Sequence, residues 1–354
     1  MVMASRRSLP YETGGHVIVR LITVLAAKPM HEFVPHRLLR NPDAMTVVPR
    51  YWPRRGLLAA MPVALRLFAV SADSQVLGYC HWQSEAKQSP ALVLVHGLEG
   101  SADSHYMLGL ACKAWKAGFN VIRLNQRNCG GTEHLSTTLY HGGLSADVRA
   151  VVDELSLRQG IGAIWVAGYS MGGNLVLRMA GEAGTANPSL KGVMAVCPNI
   201  DPEACVGALE QPRNWVYQHH FVTSLKARIL RKAALFPGRY PLGQLPRIRT
   251  LRAFDHAFTA PDGGYLSAED YYERTGARHV LDRISVPALI ITAQDDPFIP
   301  YRMFRTPALT NPAISLVAPE KGGHCGFLQG ARSDEDRYWA ENRLVEFMTG
   351  GAKS

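Results

Sequence analysis

The stretch Gly168-Tyr169-Ser170-Met171-Gly172-Gly173 constrains this chain more than any other. An apolar run of strand length, Ala163 to Ala167, stands directly before it, and Asn174 to Ala180 reads as a helix directly after it. A G-x-S-x-G at a sharp strand-to-helix turn is the setting of a nucleophile elbow. Gly168 and Gly172 let strand and helix approach closely. Ser170 is then held in a strained backbone conformation with its Oγ exposed, and Gly173 gives further room. The start of the helix aims free N–H groups and the positive end of its dipole at that oxygen. The plainer alternative is a glycine-rich turn without chemistry.

Around the elbow the chain alternates between strands and helices. Strands are expected at residues 91–95, 120–124, 163–167, 192–197, 287–292 and 314–317. Helices are expected near 104–117, 145–159, 171–181, 301–306 and 335–348. Near-continuous apolar strands separated by helices predict an α/β fold: a mostly parallel sheet flanked by helices on both faces. Upstream, residues 63–70 and 75–82 read as an antiparallel pair at the sheet edge. Residues 1–60, interrupted by Pro29, Pro35, Pro42, Pro49 and Pro53, read as an extended amino-terminal arm wrapped on the core. Residues 199–285 break the alternation and read as a cap inserted over the active-site end, dividing the core into 61–198 and 286–354.

An elbow of this kind takes its acid and its histidine from later loops, in the order nucleophile, acid, histidine. The buried run Ala288–Thr292 leads into Ala293-Gln294-Asp295-Asp296-Pro297-Phe298-Ile299-Pro300, which carries two acids to the carboxyl edge of the sheet. The spacing D-x-x-I-P selects Asp296 as the triad acid, and Asp295 reads as a loop or capping acid. Beyond the last strand, Gly322-Gly323-His324 brings an imidazole back towards Ser170. A serine hydroxyl is a poor nucleophile until an imidazole takes its proton, and a carboxylate fixes that imidazole's tautomer. The oxyanion needs two donors. One is expected from the backbone N–H of Met171, the other from Leu98 in the loop His96-Gly97-Leu98-Glu99-Gly100. His96 reads as a brace for that loop.

These residues together resemble the α/β-hydrolase superfamily, specifically its YheT-like branch. The resemblance rests on Leu92 to Ser101, Asn125 to Thr132, Gly168 to Asn174, Asp295-Asp296-Pro297 and Gly322-Gly323-His324. Phe254-Asp255, Asp262-Gly263-Gly264-Tyr265 and Asp270-Tyr271-Tyr272 add to it within the cap. It covers residues 60–350 and implies an α/β-hydrolase fold with the triad Ser170, Asp296 and His324. It also implies a serine hydrolase of carboxylic esters, with medium-chain esters or acylglycerols as substrates. An alcohol acyltransferase using the same triad is the alternative, and a non-catalytic ligand-binding protein on the same fold is a further one. One departure stands out: the branch usually reads R-G-C-G-G where this chain has Arg127-Asn128-Cys129-Gly130-Gly131.

The remaining composition narrows the setting. The chain has 354 residues, 47% hydrophobic and 19% charged, an ordinary globular balance. No run approaches the length of a membrane span, and residues 1–10 lack a following apolar segment, so no signal peptide is expected. Six scattered cysteines without a C-x-x-C read as reduced thiols, which points to a cytoplasmic protein. No metal site is expected, since His219-His220 lacks a partnered carboxylate. No cofactor is expected either, since no G-x-G-x-x-G follows a first strand. The formal charge of +9 is concentrated: residues 211–254 hold nine Lys or Arg and no acid. There Val222, Leu225, Ile229 and Ala233 fall at helical spacing, with Lys226, Arg231 and Lys232 between them. The preferred reading is a solvated cap helix with one face on the core. The alternative is peripheral contact with an anionic membrane. No nucleic-acid motif accompanies the charge.

Overall fold

The computed structural model describes residues 31–54, 56–58, 61–184 and 187–350. The apolar stretch at 17–27 lies outside the described residues. Eight strands form one sheet in the order β1-β2-β4-β3-β5-β6-β7-β8. They are β1 (Ala64–Ser71), β2 (Ser74–His81), β3 (Ala91–Val95), β4 (Asn120–Leu124), β5 (Ile164–Tyr169), β6 (Leu190–Val196), β7 (Ala288–Ile291) and β8 (Ile314–Val317). β2 runs antiparallel to both its neighbours, and every pair from β4 to β8 is parallel. Strands β3, β4 and β7 are buried at every residue, as strands covered on both faces must be. β1, at the edge, buries only Phe68.

The sheet order places the site. β3 and β5 are neighbours, yet the chain leaves β3 for β4 on one side before returning to β5 on the other. Loops leaving the carboxyl ends of strands at such a switch diverge and open a crevice. Helices α1 (Pro42–Tyr51), α2 (His105–Lys116), α3 (Ser145–Asp153) and α4 (Met171–Ala183) precede the insertion. Between β6 and β7 the chain forms only helices and turns: α5 (Pro202–Leu209), α6 (Trp215–Leu235), α7 (Leu251–Phe254), α8 (Ala260–Asp262) and α9 (Ala268–Thr275). The last helix is α10 (Trp339–Met348).

Several expectations need correction. The arm is not extended throughout. Asn41 accepts the N–H groups of Asp43 and Ala44, and Pro42 sits in the first turn, where its missing N–H costs nothing. Residues 42–51 are therefore helical, with Pro49 near the end. The helix expected from 335 begins at Trp339, because residues 337–339 pair with Phe327 and Gln329 through backbone hydrogen bonds. The stretch 301–306 forms only a short 3-10 turn, Tyr301–Phe304, between Pro300 and Pro307. The helix from 145 passes at Glu154–Arg158 into a π-helical turn.

The basic segment forms a helix with one face on the core, as its preferred reading has it, but two of its cations are buried too. α6 buries Val222, Leu225 and Ile229, but it buries Arg228 and Lys232 with them. Arg228 Nε pairs with Glu99 Oε1 at 3.0 Å, Arg231 with Glu133 at 2.6 Å, Arg239 with Asp262 at 2.9 Å, and Arg252 with Glu203 at 2.7 Å. Lys232 Nζ donates to the carbonyls of Glu133 and Ser136, and burial pushes its pKa down to about 8. Four of the segment's nine cations thus find counter-charges outside residues 211–254, and Val222, Leu225 and Ile229 are turned inward. Among the described residues no helix is long and apolar enough to cross a membrane.

Candidate active site

Ser170 follows β5 and caps α4 with φ 54° and ψ −119°, a conformation L-residues avoid. Holding it costs on the order of 1–3 kcal/mol, and the flanking packing supplies that. A Cβ on Gly168 would run into the Gly172 carbonyl, and one on Gly172 would meet the carbonyls of Val95 and His96. Those obstacles are backbone, so neither glycine can be replaced without opening the turn. Gly172→Ala is expected to cost at least about 3 kcal/mol, the upper end of overpacking. Urea unfolding checks this, and wild-type stability in the variant would contradict it.

The loop after β3 lies against the elbow: a Cβ on Gly97 would stand 3.1 Å from Ser170 Cβ. Buried His96 holds that loop. Its Nε2 accepts the Gln126 N–H at 3.1 Å, so Nδ1 carries the proton and donates to the Gly97 carbonyl at 2.8 Å. Burial pushes His96 down to about 4, so it stays neutral. The Gly97 N–H is taken by the Tyr106 hydroxyl at 3.1 Å, and the Glu99 N–H by Tyr140 at 2.9 Å. The Leu98 N–H between them has no acceptor among the described residues. The Met171 N–H, in the first turn of α4, has none either.

Asp296 and His324 meet. His324 Nδ1 lies 2.8 Å from Asp296 Oδ2, and the Asp296 side chain is fully buried. The other oxygen, Oδ1, accepts the N–H groups of Phe298 and Ile299 at 3.1 and 2.9 Å, which locks the carboxylate's orientation. Burial acts against the His324 imidazolium, but the charge and hydrogen bond of Asp296 outweigh it and hold His324 above the ordinary imidazole value. Asp295 is turned elsewhere: it accepts the Gly323 N–H at 3.0 Å and faces Lys321 at 3.7 Å. No hydrogen bond joins Ser170 Oγ to His324 among the described residues, although both segments reach one carbonyl. The Ser170 N–H and the Cys325 thiol both donate to the Val196 carbonyl, at 2.8 and 3.7 Å.

Three supporting features were not legible in the sequence. Thr46, on α1, accepts the His324 N–H through Oγ1 at 2.8 Å, so the arm helps place the histidine. No local pattern marks that threonine. Cys197 lies beside His324, and the ligand atoms of Cys197, His324 and Cys325 stand within 4.8 Å of one another. Burial raises the Cys197 thiol well above its usual range, so it remains neutral and no rival nucleophile. Glu99 is the third. Buried under α6, it accepts hydrogen bonds from Tyr140, Ser224 and Arg228, which ties the Leu98 loop to the helical insertion.

The Asn128 departure has a physical answer. Asn128 has φ 63°, the left-handed region that glycine fills most easily and asparagine tolerates. Its side chain donates to the Thr138 carbonyl at 2.8 Å, and Arg127 beside it forms a two-pronged ion pair with Asp147 at 2.6 Å per bond.

A cavity opens beside Ser170, lined by Leu98 and Met171 below and by Val206, Leu209, Phe221 and Leu225 of the insertion above. A family described as the alpha/beta hydrolase fold matches residues 90–331. YheT of Escherichia coli, which carries a provisional esterase name, is 33% identical over 320 residues, covering 90% of this chain and 93% of that one. Phospholipase ABHD3 of Mus musculus is 29% identical over 70% of this chain and 60% of its own length. Medium-chain fatty acid ethyl ester synthase/esterase 2 of Saccharomyces cerevisiae is 24% identical over 73% of this chain and 62% of its own. Among solved structures, the Pyrococcus furiosus esterase Pf2001 superposes with a TM-score of 0.56 at 15% identity, covering 91% of this chain and 98% of that one; it shares the fold. With its strained elbow, its carboxyl-edge loops and these relatives, the chain belongs to the α/β-hydrolase family, on the branch that holds YheT.

Proposed function

We propose that this chain is a serine hydrolase of carboxylic esters with short- to medium-length acyl groups. The observation that carries this reading is the Asp296–His324 hydrogen bond, on a loop whose Cys325 shares the Val196 carbonyl with the strained Ser170. Ester-hydrolysing names among the relatives agree with it. His324 Nδ1 donates to Asp296, so Nε2 is the nitrogen left to take the Ser170 proton. Ser170 Oγ attacks the ester carbonyl, and the N–H groups of Leu98 and Met171 receive the oxyanion. His324 then protonates the departing alcohol and activates the water that releases the acid. Saturable turnover of p-nitrophenyl esters across a chain-length series tests the reading, and no turnover on any member contradicts it.

A second reading shares the acyl-enzyme and passes the acyl group to an alcohol in place of water. The yeast relative's dual name favours testing it. Added ethanol partitions the acyl-enzyme if transfer competes, and ethyl ester then accumulates beside free acid.

The base must be neutral to act. Protonation of His324 therefore sets the acid limb of kcat/KM, and Asp296 moves that limb above the pH of an ordinary imidazole. Asp296→Asn removes the charge that favours the imidazolium, so its residual activity is expected to persist to lower pH. A kcat/KM–pH profile on a p-nitrophenyl ester checks the direction, and a limb that moves up in the variant contradicts it.

A further inference from the structure

The cavity beside Ser170 is apolar over most of its surface and polar along one wall. That wall carries Asp255, Tyr271, Tyr272 and His141, with Asn199 near it. Asp255 is buried at 6% exposure, and no cation pairs with it among the described residues. The Arg252 guanidinium, three residues earlier, is engaged by Glu203, Glu210 and Glu269. The hydrogen bond that Asp255 does receive comes from the Tyr272 hydroxyl, 2.7 Å from Oδ2. Burial pushes its carboxyl up to about 6 against the pull of the Thr259 and Tyr272 hydroxyls. A buried carboxyl without a cation is unfavourable unless something else engages it. Here it faces a cavity that a substrate would fill.

The neighbours have unused hydrogen-bonding capacity of both kinds. His141 Nδ1 accepts the Gly143 N–H at 3.1 Å, so its proton sits on Nε2, and burial keeps the ring neutral. The Tyr271 hydroxyl accepts the Gly142 N–H at 2.9 Å and keeps its own proton to give. Neither proton has an acceptor among the described residues. Asn199 Oδ1 is buried without a partner and adds a second acceptor to Asp255. The rings of Tyr271 and Tyr272 stand 5.2 Å apart and those of His141 and Tyr271 5.8 Å apart, so these groups form one continuous face.

We propose that Asp255, with Tyr271, Tyr272 and His141, is a subsite that recognises a hydroxyl group on the ester substrate. A hydroxyl is donor and acceptor at once. It gives its proton to Asp255 or Asn199 and receives one from His141 or Tyr271. An ammonium satisfies only the acceptors and leaves both donors idle, and an alkyl chain leaves all of them unpaired. The preferred substrates are then hydroxylated esters, whether the hydroxyl is on the alcohol side, as in a partial acylglycerol, or on the acyl side, as in a hydroxyacyl ester. The inference rests on the serine-hydrolase reading above and names the substrate class of that site.

The test compares kcat/KM for 1-monooctanoylglycerol, ethyl 3-hydroxyoctanoate and ethyl octanoate, with an aminoethyl octanoate as the cationic arm. The wild type is expected to prefer at least one hydroxylated ester over ethyl octanoate by about tenfold or more, because a site built to bond a hydroxyl discriminates strongly against its absence. Asp255→Leu is expected to reduce that preference at least about tenfold. Asp255→Asn, which keeps the shape and an acceptor, reduces it less. Fluorophosphonate labelling of Ser170 is followed in each protein, so loss of the preference is separated from loss of the active site. A labelled wild type with no preference for either hydroxylated ester overturns the subsite alone, as does a preference confined to the aminoethyl ester. Failure of the wild type to label at all overturns the hydrolase reading, and the subsite falls with it.

Discussion

Ser170→Ala is expected to lower kcat on a p-nitrophenyl ester by on the order of 10⁶-fold, the scale on which a triad fails when its nucleophile is removed. The fold should survive the change. Alanine meets the same backbone strain at φ 54° as serine, and among the described residues the Ser170 hydroxyl takes part in no hydrogen bond that its loss would break. Ser170→Gly should be equally inactive and more stable, by about 1 kcal/mol, because glycine occupies positive φ freely. Activity and urea unfolding measured on both variants separate the chemical loss from the structural one. Residual turnover within tenfold of wild type in either variant would mean that another group attacks the ester.

The second large effect concerns the acid. Asp296→Asn is expected to reduce kcat on the order of 10⁴-fold, since the amide favours the wrong tautomer and cannot balance the imidazolium. The geometry makes the change specific. Oδ1 is held by the Phe298 and Ile299 N–H groups, which an amide oxygen still satisfies, so the NH₂ is left facing His324 Nδ1. That contact requires Nδ1 to accept, and the proton then sits on Nε2, where the base must be free. Asp295→Asn loses less. The Asp295 carboxylate holds the loop through the Gly323 N–H and a 3.7 Å approach to Lys321, so an effect on the order of tenfold or less is expected. Parallel kcat measurements on the two variants rank them, and the reverse ranking would move the triad acid to Asp295.

What was legible in the sequence followed from short-range physics. The strands at Ala91–Val95 and Asn120–Leu124 stand where their apolar runs put them, because a strand buried on both faces needs such a run. The elbow was legible because its glycines do steric work within five residues. The meeting of Asp296 with His324 was legible from loop spacing and chain order. Interactions across long sequence distances were not. Thr46 supports His324 from 278 residues away, and nothing near Thr46 announces it. Glu99 neutralises Arg228 across 129 residues, so a segment with no acids of its own reads as an uncompensated basic face although four of its cations are paired. Lys232 is fully buried at a position that helical spacing leaves among charged neighbours, because carbonyls of Glu133 and Ser136 receive it. Helix ends failed for the same reason: residues 335–338 have helical composition, but a partner strand segment at Phe327 to Gln329 holds the chain extended.

The central claim is that Ser170 is the nucleophile, activated by His324 beside two unoccupied N–H groups. Reaction of the folded protein with a fluorophosphonate, followed by peptide mass spectrometry, tests it most directly. The account predicts one adduct, on Ser170, formed rapidly in the wild type and slowed by several orders of magnitude in Asp296→Asn and His324→Ala. An adduct mapped to another residue, or no adduct on folded protein, would contradict it.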